Sequence, residues 1–481
     1  MAITENPPDS GPVRDAAGGE ASSGALRRLM GVVMLGALMM QLDLTMTSIA
    51  TKTLVREFHS TLSTIQWVTT GYGLAMAATI PLAGWAVERF GARAVWMTCI
   101  GSFLAGSVLC GLAWSPASLI AFRVLQGVGA GAVLPVGQTV LAQAAGPNRL
   151  PKVMAAMGLP AMVGPVLGPV LGGILVSDLS WRWIFYVNVP VCLAAIGLSL
   201  RGMPSARVPG RTKLDWPGLA LLSPGCAVVV YALAETGSYG GFGNPHVIVP
   251  LIVGLALLAA FAVRALRSAY PLIDLRLLAT RSFGSASGAL FAAGLVMFGL
   301  MGLLPLYYQV ARGYSPQHAG LLLVPMGIAM GLTMIGGSRL AGRFSPRTIA
   351  LGGLAGAAAG AVLFAQISAG TSNVVLSAAQ VLAGVGLGAM LIPIMTAAYQ
   401  GLRREDIPRA SSSIRIMQQL GGSFGSAALY IIVQRQLAEH PHTAAGLASA
   451  FGGTFWWVVA FIAITVLPAM FLPGRTQPQP K

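Results

Sequence analysis

Long apolar runs separated by short polar connections dominate the chain. About 20 consecutive apolar residues make a helix long enough to cross the ~30 Å hydrocarbon core of a bilayer. Runs of that kind occur at 29–50, 65–87, 93–113, 118–141, 153–176, 184–200, 214–234, 247–266, 283–310, 319–340, 348–366, 374–400, 412–433 and 454–472. The pattern predicts an all-α integral membrane protein with fourteen transmembrane helices. Nothing between the runs is long enough for a soluble domain.

Composition agrees with burial in lipid. The 481 residues are 55% hydrophobic and only 9% charged, with a mean hydropathy of +0.74; soluble domains carry about 25% charged residues. The net charge of +16 would suit nucleic acid if it were clustered on one face, but it is spread thinly over connections. If the amino terminus lies in the cytoplasm, 23 of the 30 basic residues fall on cytoplasmic tails and loops or at the cytoplasmic ends of the runs. That asymmetry is the positive-inside pattern for an even number of spans with both termini cytoplasmic; the location expected is a bacterial cytoplasmic membrane. Residues 1–25 are polar and rich in Pro, Gly, Ser and acid, the signature of a disordered tail, and lack the short apolar core and cleavage site of a signal peptide. Cys99, Cys110, Cys192 and Cys226 all fall within runs at spacings that suit neither zinc nor redox chemistry. They read as packing residues.

The longest cytoplasmic connections, 201–213 and 267–282, bracket two spans in mid-chain. This divides the chain as 6+2+6: a tail at 1–25, a six-helix bundle at 26–201, two extra helices at 202–282, a second bundle at 283–472 and a tail at 473–481. An internal repeat supports the division. "AGWAVERFGARAV" (83–95) and "GGSRLAGRFSPRTI" (336–349) each hold R-F-x-x-R just after an apolar run, as Arg89, Phe90, Arg93 and Arg343, Phe344, Arg347. The offset is 254 residues, and it carries the second run onto the tenth. Paired homologous halves are how secondary transporters build a central site that opens to alternate sides.

The same offset sets Asp43 opposite Met297, so the acid belongs to one half only. Of fourteen acids in the chain, Asp43 alone lies well inside a run, and the histidines (His59, His246, His318, His440, His442) fall in or beside outer loops. An intramembrane acid is costly and ordinarily meets a partner or a watery cavity. At about 1.5 Å per residue, Asp43 lies roughly 21 Å in from Leu29, leaving about 9 Å to the outer edge. Arg123 lies roughly 9 Å below the start of its own run, so the two opposite charges share a depth. Desolvation disfavours a charged carboxylate and a nearby cation favours it. A group exposed to those influences in alternating states can load a proton on one side and release it on the other. The alternatives are a permanent buried bridge, or an Arg123 that snorkels outward.

Glycine and proline punctuate two runs. "GLPAMVGPVLGPVLGGILV" (158–176) holds Pro160, Pro165 and Pro169, which bend a helix, and Gly164, Gly168, Gly172 and Gly173, which let another helix approach closely. "RVLQGVGAGAVLP" places Gly127, Gly129 and Gly131 behind Arg123.

Together these segments resemble the major facilitator superfamily, in its fourteen-span drug:proton antiporter branch. "LDLTMTSIA" is similar to that branch's first-span L-D-x-T motif, "GWAVERFGAR" to its loop motif G-x-L-A-D-R-x-G-x-R, "RVLQGVGAG" to its fourth-span R-x-x-Q-G-x-G, and "GPVLGPVLGG" to its fifth-span antiporter motif. "SWRWIFYVNVP" (180–190), "LDWPG" (214–218), "GYSPQHAGLLLVP" (313–325) and "QLGGSFG" (419–425) also sit where that family has similar strings. The resemblance implies that Asp43 is the proton-linked acid and Arg123 its electrostatic partner. It implies that Gly164, Pro165, Gly168, Pro169, Gly172 and Gly173 control helix contact during rocking. It also implies that Gly84, Glu88, Arg89, Gly91 and Arg93 form a cytoplasmic latch against an opposing helix end. Three positions depart from the family: Glu88 stands where Asp is usual, "SIATKTL" replaces an Asn-containing Ala-Leu-Pro form, and Arg415 and Gln418 occupy the Asn and Arg places of N-x-x-R-Q-x-G-G. By helix rise from residue 412, Arg415 lies about 5 Å inside the cytoplasmic edge, where snorkelling accounts for it.

A transporter's binding cavity is mostly apolar with a few placed polar groups. The candidates are Gln41, Gln66, Trp67, Tyr72, Gln126, Gln138, Met297, Met301, Tyr307, Tyr399, Gln400 and Gln418, each of which helix packing or interfacial anchoring explains equally. Twenty-one methionines suit an adaptable surface. Asp43 is the one membrane acid, which favours lipophilic, weakly cationic or neutral compounds over highly charged cations. The function expected is proton-coupled export of lipophilic drugs or toxic compounds, with export of an endogenous metabolite or lipid by the same machine as the alternative. An enzyme or a non-transporting receptor is disfavoured, since no catalytic cluster and no phosphate-binding loop is found. No cofactor is expected, the proton gradient being the energy source. The partners expected are the bilayer, a small lipophilic substrate and protons, without nucleic acid, for a monomer with or without an envelope adaptor protein.

Overall fold

The computed structural model describes residues 23–203, 214–236, 243–268, 271–340, 344–403, 405–441 and 443–474. Most of the expected amino-terminal tail (1–22), the connection 204–213, Arg343 of the repeat, the end of the carboxy-terminal tail (475–481) and the side chains of Pro165 and Pro169 lie outside the described residues.

The chain is helical throughout its described length. The first part comprises α1 (Ser23–Glu57), α2 (Leu62–Thr79), α3 (Leu82–Phe90), α4 (Ala92–Gly111), α5 (Pro116–Ile174), α6 (Trp183–Tyr186) and α7 (Asn188–Gly202). A central pair follows, α8 (Trp216–Glu235) and α9 (Pro245–Arg267). The last part holds α10 (Arg281–Val310), α11 (Pro316–Leu322), α12 (Val324–Leu340), α13 (Pro346–Ala365), α14 (Asn373–Tyr399), α15 (Ile407–Glu439) and α16 (Ala444–Met470). Starts are written in the local sequence. Ser115, Asp215, Asn244 and Ser345 each cap a helix with a side-chain oxygen, and each is followed within two residues by proline, whose missing N–H suits the first turn.

Among the described residues, twelve helices are long and apolar enough to cross a membrane, not the fourteen expected. Two runs account for the difference. The run 65–87 divides near Pro81 into α2 and the nine-residue α3. The run 118–141 lies in the first part of α5, which turns at Gly146 with φ 65° and ψ 170°, and the run 153–176 lies beyond that turn in a part that is not among the twelve. Hydropathy counts apolar stretches and is blind to whether the backbone between two of them stops or bends.

An offset of 254 residues carries α4 onto α13, first residue on first and last on last. It also brings the bend at Gly146 next to Gly401, whose φ is +75°. Both bends use the left-handed region that glycine enters without strain. Between the two parts lies a central cavity lined by α1, α2, α5, α10, α11, α12, α14 and α15.

The α8–α9 pair packs tightly through glycine, Gly254 of α9 approaching Val229 of α8. An ion pair at its base joins Arg264 to Asp215 (2.7 Å). Its inner side presses on α2 and α15, where Cys226 and Leu222 pack with Ile80, Ile416 and Leu420. The outer side of α9 exposes Ile248, Val249, Ile252 and Leu255, a surface that lipid covers.

Candidate functional site

Asp43 sits midway along α1 and Arg123 in the third turn of α5, and the helices bring their charges together. Arg123 Nη1 lies 2.6 Å from Asp43 Oδ2, with both side chains fully buried. Burying one such charge alone is prohibitive, and the pair survives only if its remaining hydrogen-bonding capacity is met. Neighbouring helices meet it. Gln126 Nε2 donates to Asp43 Oδ1 (3.0 Å) and to Ser107 Oγ of α4 (2.7 Å), while Gln126 Oε1 accepts from Arg123 Nη1 (2.6 Å). Asn188, the first residue of α7, donates from Nδ2 to Asp43 Oδ1 (2.8 Å). Arg123 Nε donates to the Val68 carbonyl of α2 (3.2 Å). The guanidinium lies 4.1 Å over the Tyr72 ring, a cation–π contact in a desolvated setting. Arg123 Nη2 has no hydrogen-bond partner among the described residues.

Tyr72 is the hinge of the arrangement in space. It stacks on Arg123 and also lines the central cavity, whereas Asp43 and Arg123 do not. The phenol thus touches both the ion pair and the cavity. The cavity has a volume of about 510 Å³. Of the expected pocket residues, Gln41, Tyr72, Gln138, Met297, Met301 and Gln418 line it.

The others are placed elsewhere. Gln126 turns away to hold the ion pair. Gln66 is exposed, and Trp67 stacks on Tyr231 of α8 (ring centroids 5.9 Å apart). Tyr307 is buried among Tyr308, Phe451 and Phe455. Tyr399 shares a hydrogen bond with Ser411 (3.0 Å), and Gln400 caps the end of α14. A helical wheel cannot tell the cavity face from a packed face when both neighbours are apolar.

The glycine face of α5 meets α1 around the acid. A Cβ at Gly164 would stand 2.5 Å from Gln41 Cβ, one at Gly168 would collide with the Thr45 hydroxyl, and one at Gly172 would lie 3.1 Å from Met46 Cα. Thr45 Oγ1 donates to the Gly164 carbonyl (3.1 Å). Gly173 is half-buried.

At the far end of the bundle, α3 meets the start of α15. Glu88 binds Arg409 by two contacts, Nε to Oε1 (2.8 Å) and Nη2 to Oε2 (2.9 Å). Gly84 makes the approach possible, since a Cβ there would be 2.9 Å from the Pro408 carbonyl. Gly91, at φ 83°, turns the chain from α3 into α4. Arg93 stays within its own half, donating to the Leu200 carbonyl (2.9 Å), and Arg89 is exposed.

Sequence reasoning missed Ser107, Asn188, Arg409 and the cavity-lining Gln309, Arg415 and Gln419. Asn188 carried a signal, a lone amide within an apolar string. Arg415 was expected to snorkel at the membrane edge, but it lines the cavity.

The sequence profile of the Major Facilitator Superfamily matches residues 33–426. The chain belongs to that superfamily. It is a multi-pass protein embedded in the lipid bilayer and a transporter, not an enzyme. It is 36% identical to the multidrug resistance protein B homolog of Mycobacterium tuberculosis, over 94% of this chain and 90% of that protein. It is 34% identical to the puromycin resistance protein pur8 of Streptomyces alboniger, over 94% of this chain and 92% of that protein. The solved proton:xylose symporter XylE superposes with a TM-score of 0.62 at 14% identity, over 92% of this chain and 96% of that one. That likeness speaks for the fold.

Proposed function

We propose that this superfamily member is a proton-coupled antiporter that exports lipophilic drugs or toxic compounds from the bacterial cytoplasm by alternating access. The names of the multidrug and puromycin resistance relatives favour a drug substrate. The distribution of basic residues favours a cytoplasmic membrane with both termini inside. In this scheme the helices up to Gly202 and those from Arg281 rock against each other, with α8 and α9 as a hairpin laid on the seam. The Glu88–Arg409 contact then closes the cytoplasmic side, and the state described is closed inward.

The observation that carries the proposal is the buried Asp43–Arg123 pair in contact with Tyr72, a residue that also lines the cavity. Protonation of Asp43 removes the charge that holds Arg123 Nη1. Arg123 keeps its bonds to the Val68 carbonyl and Gln126, and any shift of the guanidinium is passed to Tyr72 and so to the cavity wall. Substrate in the cavity pushes on the same ring from the other side. Proton and substrate therefore act on one element from opposite faces, which is what competition for a single conformational change requires.

The test is transport into everted vesicles under an imposed pH gradient. Wild type should accumulate a lipophilic substrate as the gradient is applied, and Asp43→Asn should bind it yet show no gradient-driven accumulation. Accumulation that survives neutralisation would remove Asp43 from the coupling role.

A further inference from the structure

We propose that the cavity contains an anion-binding subsite centred on Arg415, so that its substrates are lipophilic acids: an apolar body bearing one carboxylate-like group. The proposal rests on the transporter assignment above and names the substrate class of that cavity.

Arg415 lines the cavity from α15. Among the described residues its one polar contact is a bond from Nη1 to Gln418 Oε1 (2.9 Å), an uncharged acceptor one turn along the same helix. Among the described residues, no carboxylate lies within ion-pair distance of it and no acidic side chain lines the cavity. Asp43, the buried acid of α1, does not line the cavity, and its oxygens already accept from Arg123, Gln126 and Asn188. The cavity therefore presents a guanidinium fork with most of its donors free and no counter-charge. A cation in a site of low dielectric without its partner is a strong attractor for an anion, and the planar fork matches a carboxylate edge.

A second observation points the same way. Gln138, which lines the cavity from α5, is 4% exposed and its Oε1 has no hydrogen-bond partner among the described residues. An unmet buried amide is unfavourable in the empty protein, and a polar substituent of a ligand anchored at Arg415 can satisfy it. The rest of the wall suits an apolar body, with eight methionines among the lining residues, soft side chains that repack around varied shapes. The expectation drawn from sequence, of neutral or weakly cationic compounds, took Asp43 for the charge that the substrate meets. The cavity instead shows the substrate a positive one.

The test compares two probes on the purified full-length chain: pyrenebutyric acid at a pH where it is ionised, and its uncharged methyl ester. Wild type should bind the acid at least about tenfold more tightly than the ester, the margin of a charge-assisted hydrogen bond. Arg415→Gln should erase that margin while leaving ester affinity within about twofold, and Arg415→Lys should keep part of it. Equal affinity of wild type for acid and ester overturns the subsite whether or not any variant folds, and so does an acid preference that persists in a folded Arg415→Gln protein. A wild type that prefers the acid but moves neither probe under a pH gradient would retain the subsite and remove the antiporter assignment.

Discussion

A guanidinium and a carboxylate with no exposure to solvent are held by geometry as much as by charge. Removing one partner of such a pair leaves an uncompensated buried ion, at a cost of about 3–5 kcal/mol. Arg123→Met should therefore lower stability by about that amount at neutral pH, measured by reversible unfolding in mixed micelles. Adding Asp43→Asn to it removes the orphaned charge, so the double variant should be more stable than Arg123→Met alone. The coupling in the mutant cycle should be at least about 1.5 kcal/mol. Simple additivity would mean that the two groups do not depend on each other. The shared depth of Asp43 and Arg123 was legible from helix rise once the amino terminus was set in the cytoplasm, but that their helices adjoin was not. Asn188 and Ser107 were not, since which residue of a neighbouring helix faces the acid depends on rotation, which depth does not record.

At the level of helices, α3 and α15 form a contact whose parts are separable. Gly84 allows the backbones to approach, and the Glu88–Arg409 pair fixes the register at partial exposure. Glu88→Arg should block transport, because two cations then face each other across the contact. Exchange of the charges, Glu88→Arg with Arg409→Glu, should restore part of the rate in the same vesicle assay. Failure of the exchange, with both proteins folded and inserted, would assign Glu88 to another partner. The resemblance of the 84–93 loop to a family motif implied this contact, yet the opposing residue was invisible because it comes from the other half, 321 positions away. Arg415 was misplaced for a related reason. Apolar composition begins at residue 412, but α15 begins at Ile407, roughly 7.5 Å earlier by helix rise. Polar turns buried against a second half extend the protein below the point where hydropathy ends, so an arginine that looked superficial lies on the cavity.

For the molecule as a whole, substrate charge decides how the membrane potential acts. If one proton enters for each substrate expelled, a neutral compound moves one charge per cycle. An anion moving outward adds a second in the same electrical sense. Each is worth about 2.3 kcal/mol per 100 mV, so an interior-negative potential should drive export of an acid with roughly twice the free energy available for its neutral ester. In proteoliposomes held at equal pH on both sides, with the potential set by a potassium gradient and valinomycin, the logarithm of the steady-state acid gradient should rise about twice as steeply with voltage as that of the ester. Equal slopes would mean that the acid travels protonated, which would leave Arg415 without an anion to hold during the crossing. A slope of opposite sign would reverse the direction of proton movement. Under the proposed antiport and anion subsite, the charge that couples belongs to Asp43, paired with Arg123 beneath Tyr72, and the charge that is carried belongs at Arg415 in the cavity, so the two are handled at separate places.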